Sequence, residues 1–222
     1  MKITQISKNI WSLHTWIIIP FHVWLVAEED GLTLIDAGLP FMYKSIMKRA
    51  ASLQVGPIKR IALTHAHPDH VGALPRVAAL SDAAVYAHRL ELPYIDGEKT
   101  YQSRKKPAPL LPQDRKALAL PEDADGKLQQ FGSLTPYWTP GHSPGHTVFY
   151  HQEDDVLIAG DLFWSRRGRL IKPRFTEDMA QAIRSSAIVA ELNPGRLEVC
   201  HGYAVHKAAG QIESYAQQTI AQ

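Results

Sequence analysis

One cysteine, Cys200, stands in 222 residues, which excludes an intramolecular disulfide framework and suits a reducing compartment. No stretch reaches the roughly 18 apolar residues of a membrane-spanning helix, and the opening MKITQISKNIWSLHTWIIIP lacks the uninterrupted apolar core and small-residue cleavage site of a secretory leader. A cytoplasmic address with no membrane partner is therefore expected. Neither sign of charge is in excess. Lysine and arginine number 24 against 22 acidic residues, and a formal net charge of +2 gives no field that implies nucleic acid as a partner. Repeats of fixed period and low-complexity tracts are missing too. A hydrophobic content of 45% supports a sizeable core, and residues 1–222 are expected to form a single domain.

The chain opens with strand-like pieces, NIWSLHTWIIIP, HVWLVAEE and LTLIDAG, with an Asp30-Gly31 hairpin signal before the third. PFMYKSIMKRAASL has a roughly helical spacing of Phe41, Ile46, Met47 and Leu53, and IKRIALTH, HVGALPRVAALS and AAVYAH follow as strand, helix and strand. Alternation of this kind over residues 32–88 predicts an α/β layered architecture. Residues 89–127 break the rhythm with five prolines and the run Arg104-Lys105-Lys106; they are expected to form a variable connection or lid. Strands resume with LTPYWTPGH, HTVFYHQ and DVLIAGD. A helix is predicted from an N-cap at Thr176 to the stop Asn193-Pro194-Gly195, then a strand RLEVCHG and a terminal helix.

What the sequence does have is an unusual crowd of imidazoles. THAHPDH places His65, His67, Asp69 and His70 directly after an apolar run, with Pro68 stiffening the turn. Two histidines two apart on such a loop can converge on one point, and imidazole nitrogen with carboxylate oxygen suits zinc and other first-row divalent metals. A chance match to the pattern His-x-His-x-Asp-His is expected on the order of once per thousand such chains. Further donors sit at strand ends: His142 in TPGHSPGH, Asp161 in LIAGDLF and His201 in EVCHGY. A lone histidine is usually a packed or capping residue; a set placed jointly at strand ends, where α/β folds put their ligands, is not.

In this order the residues resemble the metallo-β-lactamase superfamily, from LIDAG to CHGY. The resemblance implies an α/β fold, the four-layer αββα sandwich of that family. It also implies two divalent metal ions as cofactors: zinc, with manganese or iron compatible by ligand type. One metal would take His65, His67 and His142, the other Asp69, His70 and His201, and Asp161 would bridge them. Asp36, matching an aspartate that supports the family's site, is a natural acceptor for a ligand histidine's other N–H. His146 resembles the second histidine of HSPGH, which supports the site without binding metal. Cys200 is expected to be buried packing.

An aspartate at the bridging position is similar to glyoxalase II, the lactonases and related dinuclear hydrolases, and unlike true zinc β-lactamases. Two divalent charges less two carboxylates and a bridging hydroxide leave the centre electrophilic. A hydroxide made available near pH 7 would attack a substrate carbonyl, with Asp69 orienting it as the catalytic carboxylate, so no side-chain nucleophile is required. The expected reaction is hydrolysis of a small-molecule carboxylic ester, lactone or thioester. Trp164 stands where quorum-quenching lactonases carry tyrosine, and only about 20 residues follow His201, where glyoxalase II adds a glutathione-holding region. The WIIIPFHVW hairpin, the 89–127 connection and the Arg166 to Arg174 segment are candidate pocket walls. Three other readings stand beside the hydrolase: a mononuclear iron enzyme of the persulfide dioxygenase kind, a nucleic-acid phosphodiesterase of the same fold, and a non-catalytic metal-binding scaffold. The complete second ligand set, and the absence of a broad basic surface, favour the hydrolase.

Overall fold

The computed structural model describes residues 1–101 and 106–220. Contacts group the chain into two compact units, one of Met1–Trp16 with Phe21–Leu120, the other of Ile17–Pro20 with Pro121–Gln222. Among the described residues no helix is long and apolar enough to cross a membrane.

The first unit is built on seven strands, β1 (Lys2–Gln5), β2 (Ile10–Trp16), β3 (Pro20–Glu28), β4 (Gly31–Ile35), β5 (Ile58–Ala62), β6 (Ala84–Ala87) and β7 (Leu118–Ala119). They lie side by side in chain order. β3 and β4 pair antiparallel across the Asp30-Gly31 turn. From β4 onward each strand runs parallel to the next, because helices carry the chain back: α1 (Tyr43–Ser52), then α2 (Pro68–Val71) with α3 (Leu74–Ser81), then α4 (Leu92–Ile95). The predicted strand-helix alternation over 32–88 is present. α1 turns Ile46 and Ala50 inward, α3 turns Leu74, Val77 and Ala78 inward, and both join Leu34, Ile61 and Val85 in one buried cluster. Residues that sit at helical spacing on α1 and α3 and at alternate positions in the strands thus build a continuous core.

The second unit holds a four-stranded sheet in the order β13-β10-β9-β8, made of β8 (Leu134–Trp138), β9 (Thr147–His151), β10 (Val156–Ile158) and β13 (Arg196–Glu198). A ribbon of β11 (Trp164–Arg166) and β12 (Arg169–Ile171) follows, and helices α5 (Met179–Ser185), α6 (Ala187–Leu192) and α7 (Ile212–Ile220) complete it. Its core gathers Val148, Leu157, Phe163, Val189, Leu197 and Tyr215.

Several sequence expectations are corrected. The helix predicted from Thr176 to Asn193 is two, divided at Ser186, and its N-cap is Asp178, whose carboxylate accepts from the Gln181 N–H at 2.8 Å. The helix after the histidine loop is likewise in two pieces and already begins at Pro68. RLEVCHG is a strand only as far as Glu198. The strand-like piece NIWSLHTWIIIP is a strand only from Ile10 to Trp16, and Trp16, Ile17 and Ile18 are exposed. Among the described residues of 89–127 the structure shows α4 and β7, while Arg104 and Lys105 of the basic run lie outside the described residues.

Candidate metal centre

Each unit brings its own group of donor side chains to the C-terminal ends of parallel strands, the edge where α/β sheets leave room for ligands. In the first unit the loop after β5 carries Thr64 to His67 and runs into α2, with Pro68 as its first helical residue and Asp69 and His70 in its single turn. Asp36, one residue past the neighbouring β4, is held beside this loop by its N–H to the Ala62 carbonyl at 3.0 Å. It adopts a left-handed φ of 58°, a conformation worth roughly 1–3 kcal/mol of strain in a non-glycine residue. Its carboxylate is fully buried and accepts three hydrogen bonds, from the Thr64 N–H at 2.8 Å, the Thr64 hydroxyl at 2.8 Å and His70 Nδ1 at 2.7 Å.

These contacts decide which ring nitrogen carries each proton. A carboxylate is acceptor-only, so His70 Nδ1 is the donor and its Nε2 keeps a lone pair. That lone pair looks towards Asp69 Oδ2 at 3.9 Å. The Thr64 hydroxyl spends its proton on Asp36, so it accepts from His65 Nδ1 at 3.0 Å. His65 Nε2, again with a lone pair, meets His67 Nδ1 at 2.9 Å. The His65 and His70 rings also touch, their centroids 4.0 Å apart and their planes tilted by 50°.

The second unit repeats the device. β10 and β13 are parallel, and the Cys200 N–H bonds the Gly160 carbonyl at 3.0 Å; Asp161 and His201 therefore leave adjacent strands at the same level. His142 lies in the connection between β8 and β9, and β9 is antiparallel to β10, which puts that connection at the same sheet end. Gly141, with φ of 131°, sits so close to α5 that a Cβ there would stand 2.2 Å from the Ala182 nitrogen. Only glycine allows the loop to seat His142 in this way.

His201 Nδ1 donates to the Pro20 carbonyl at 3.2 Å. His142 Nδ1 is 3.2 Å from the Thr176 hydroxyl, which itself donates to the Pro173 carbonyl at 3.4 Å. Both rings thus turn a basic Nε2 towards Asp161 Oδ2, at 3.6 Å from His142 and 3.4 Å from His201. Acceptor facing acceptor is unfavourable without a shared cation. With metal–ligand bonds of about 2.0–2.1 Å, two ligands of one tetrahedral ion stand about 3.3–3.4 Å apart. The donor chemistry and the spacing both fit a divalent metal at Asp161.

His146 differs. Its Nε2 accepts the Asp161 backbone N–H at 3.2 Å and its Nδ1 contacts the Thr139 hydroxyl at 2.9 Å, so the ring fixes the backbone of Asp161 with the nitrogen that a ligand would need. The Trp164 indole N–H reaches Asp161 Oδ2 at 3.2 Å. Cys200 is buried, and its sulfur lies within 4.8 Å of ligand atoms of Asp161 and His201. Arg166, Arg167, Arg169, Lys172 and Arg174 are all exposed, and only Arg174 turns back, its guanidinium 5.8 Å from the Trp164 ring centre.

The sequence gives no warning of Thr64, Thr176, Pro20 or Glu91, although all four hold the donor loops. Glu91 is fully buried and its Oε2 accepts from the Ala66 N–H at 2.8 Å and the Tyr101 hydroxyl at 2.7 Å. It pins the backbone between His65 and His67. Tyr101 in turn packs edge-on against the His67 ring at 4.4 Å.

Parallel strands ending in paired imidazole and carboxylate donors define a metal-binding α/β protein. Residues 21–201 match the metallo-beta-lactamase superfamily, and the chain belongs to that family. It is 30% identical over 91% of its length to probable metallo-hydrolase YybB of Bacillus subtilis, covering 91% of that protein. Against probable metallo-hydrolase YflN of the same organism it is 29% identical, over 89% of this chain and 85% of the other. Among solved structures, a metallo-beta-lactamase from Erythrobacter litoralis superposes with a TM-score of 0.76 at 19% identity, covering 97% of this chain and 96% of the other. The fold class is therefore the α/β metallo-β-lactamase fold.

Proposed function

We propose that this chain, a metal-dependent hydrolase by family, uses two divalent metal ions to cleave a carboxylic ester, lactone or thioester of a small molecule. In this reading residues 1–222 act as one catalytic domain of the glyoxalase II and lactonase-like branch. His65, His67 and His142 would hold one ion and Asp69, His70 and His201 the other, with Asp161 shared between them; zinc is the ion these donors would suit best. The observation that carries the proposal is Asp161, a buried carboxylate with one oxygen at ligand-to-ligand spacing from two imidazoles whose other nitrogens are already engaged. The single cysteine favours a cytoplasmic setting.

Bound there, the metals supply Lewis acidity, which makes water a nucleophile near neutral pH and polarises a carbonyl. The chain's residues do the rest. Asp36 and Thr64 keep His70 and His65 in the tautomer that presents Nε2. Asp161 has its side chain 5% exposed and Asp69 31%, so Asp69 is the carboxylate that can meet an incoming water, orient it and take its proton. Addition of that water to the carbonyl carbon and departure of the alcohol or thiol complete the hydrolysis, with the proton returned to the leaving group.

The test is a panel of esters, thioesters, lactones and β-lactams run on the native protein, His67→Ala and Asp161→Ala. Bound metal and turnover should fall together in both variants, turnover by about 100-fold or more, while circular dichroism stays native. Full activity in either variant, or activity confined to β-lactams, contradicts the proposal.

A further inference from the structure

The first unit contains a cavity of about 290 Å³ beside the metal loop. Ala66, which separates His65 from His67, forms part of its wall, together with Tyr94, Lys99, Tyr101, Lys106 and Leu110. Its volume falls just below the roughly 300–1,000 Å³ of pockets that enclose whole ligands, so it suits one part of a substrate. Tyr94 and Tyr101 stack with centroids 3.8 Å apart and planes 3° from parallel, a rigid flat surface. Tyr101 is fixed at both its polar and apolar ends, by Glu91 and by the His67 ring. The charged side chains of the lining are lysines alone: Lys99, 5.9 Å from the Tyr94 ring centre, and Lys106, with no acidic residue among the described wall residues.

We propose that this cavity is a substrate subsite that accepts an apolar, flat group carrying an anionic substituent, the rigid tyrosine pair contacting the flat part and Lys99 with Lys106 the anion. The inference rests on the hydrolase reading for its use in catalysis, because Ala66 and Pro68 of the wall are chain neighbours of His65, His67 and Asp69, three of the proposed ligands. Lys99 and Lys106 are exposed, so their contribution is selectivity between charged and neutral substrates of one shape and not the bulk of the affinity.

The probe is 3-phenylpropane-1-sulfonate, whose sulfonate is a poor metal ligand, titrated by calorimetry into the metal-loaded full chain. A Lys99→Glu/Lys106→Glu variant should bind it about tenfold more weakly than the native protein, the change expected from reversing two exposed charges. Lys59→Glu, a single charge reversal on the exposed side of β5, should stay within about twofold, as bulk electrostatics allow. In parallel, the kcat/KM ratio between an anionic aryl ester and its neutral isostere should drop about tenfold in the double variant and nowhere else. Leu110→Trp, which fills the cavity, should raise KM for aryl substrates more than for acetyl ones. Hydrolysis of esters with probe affinity and charge preference indifferent to Lys99 and Lys106 overturns this subsite and leaves the hydrolase standing. Lysine-dependent probe binding with no turnover of any carbonyl substrate overturns the hydrolase and leaves the subsite standing.

Discussion

Asp36 shows how much a single side chain can settle. Its carboxylate uses both oxygens, one for the Thr64 N–H and the other for the Thr64 hydroxyl and His70 Nδ1. In Asp36→Asn one oxygen becomes a donor NH₂, which in either orientation of the amide faces at least one of these three donors. The hold of Asp36 on Thr64 and His70, which fixes the tautomers of His65 and His70, is weakened. Metal affinity measured by chelator competition should fall by about 10–100-fold, the usual cost of losing a group that orients a ligand, with the chain still folded. Affinity equal to the native protein would mean that His70 needs no orientation. At this scale the sequence was informative about the donors and about Asp36 and His146 beside them, and silent about the other supports. His65, His67, Asp69 and His70 are adjacent in the chain, and their residue types alone suggest coordination. Thr64, Thr176 and the Pro20 carbonyl touch the rings only because of tertiary register, and hydroxyls and carbonyls occur everywhere in a sequence.

Between residue and molecule stand the elements, whose ends aim the donors. α5 begins where Asp178 caps the Gln181 N–H and where the Asp178 N–H bonds the Gly141 carbonyl at 2.8 Å; one residue starts the helix and anchors the His142 loop. Asp178→Ala should cost about 1 kcal/mol as a lost cap, which lowers the melting temperature by about 2–4 °C for a chain of this size. An unchanged melting curve would show that the cap is redundant. Thr176 and Asp178 are both acceptable caps by residue type, so only the structure could choose. The break at Ser186 carries neither glycine nor proline and left no local signal. The ribbon of β11 and β12 turns at Arg167 and Gly168, both with positive φ, 52° and 74°; the usual Asn-Gly or Asp-Gly signature of such a turn is missing there. β4 and β10 were legible because burial on both faces makes them largely apolar runs.

Taken whole, the molecule is expected to be sensitive to acid through a histidine that is not among the proposed ligands. Burial of the His88 ring, reinforced by the nearby Arg89 charge, pushes its pKa down to about 4, and its Nδ1 accepts the Leu90 N–H at 3.3 Å. The unfolded chain binds this proton near pH 6.5 and the folded chain only near 4, so folding stability is complete above pH 6.5 and declines as pH falls through that window. His88→Gln should flatten the decline in a urea-unfolding series between pH 6.5 and 4, and an identical slope in the variant would exclude His88 as its source. At the alkaline end burial of Tyr215 raises its pKa to about 12, so its share of stability is present below pH 10 and is lost as pH rises towards 12. The central claim, two metal ions bridged by Asp161, is tested most directly by metal quantification on the purified chain alongside oxygen-uptake measurements. The account predicts close to two divalent ions per chain, no oxygen uptake, and loss of hydrolysis when a chelator removes them. One iron per chain, with oxygen consumed during turnover, would contradict it.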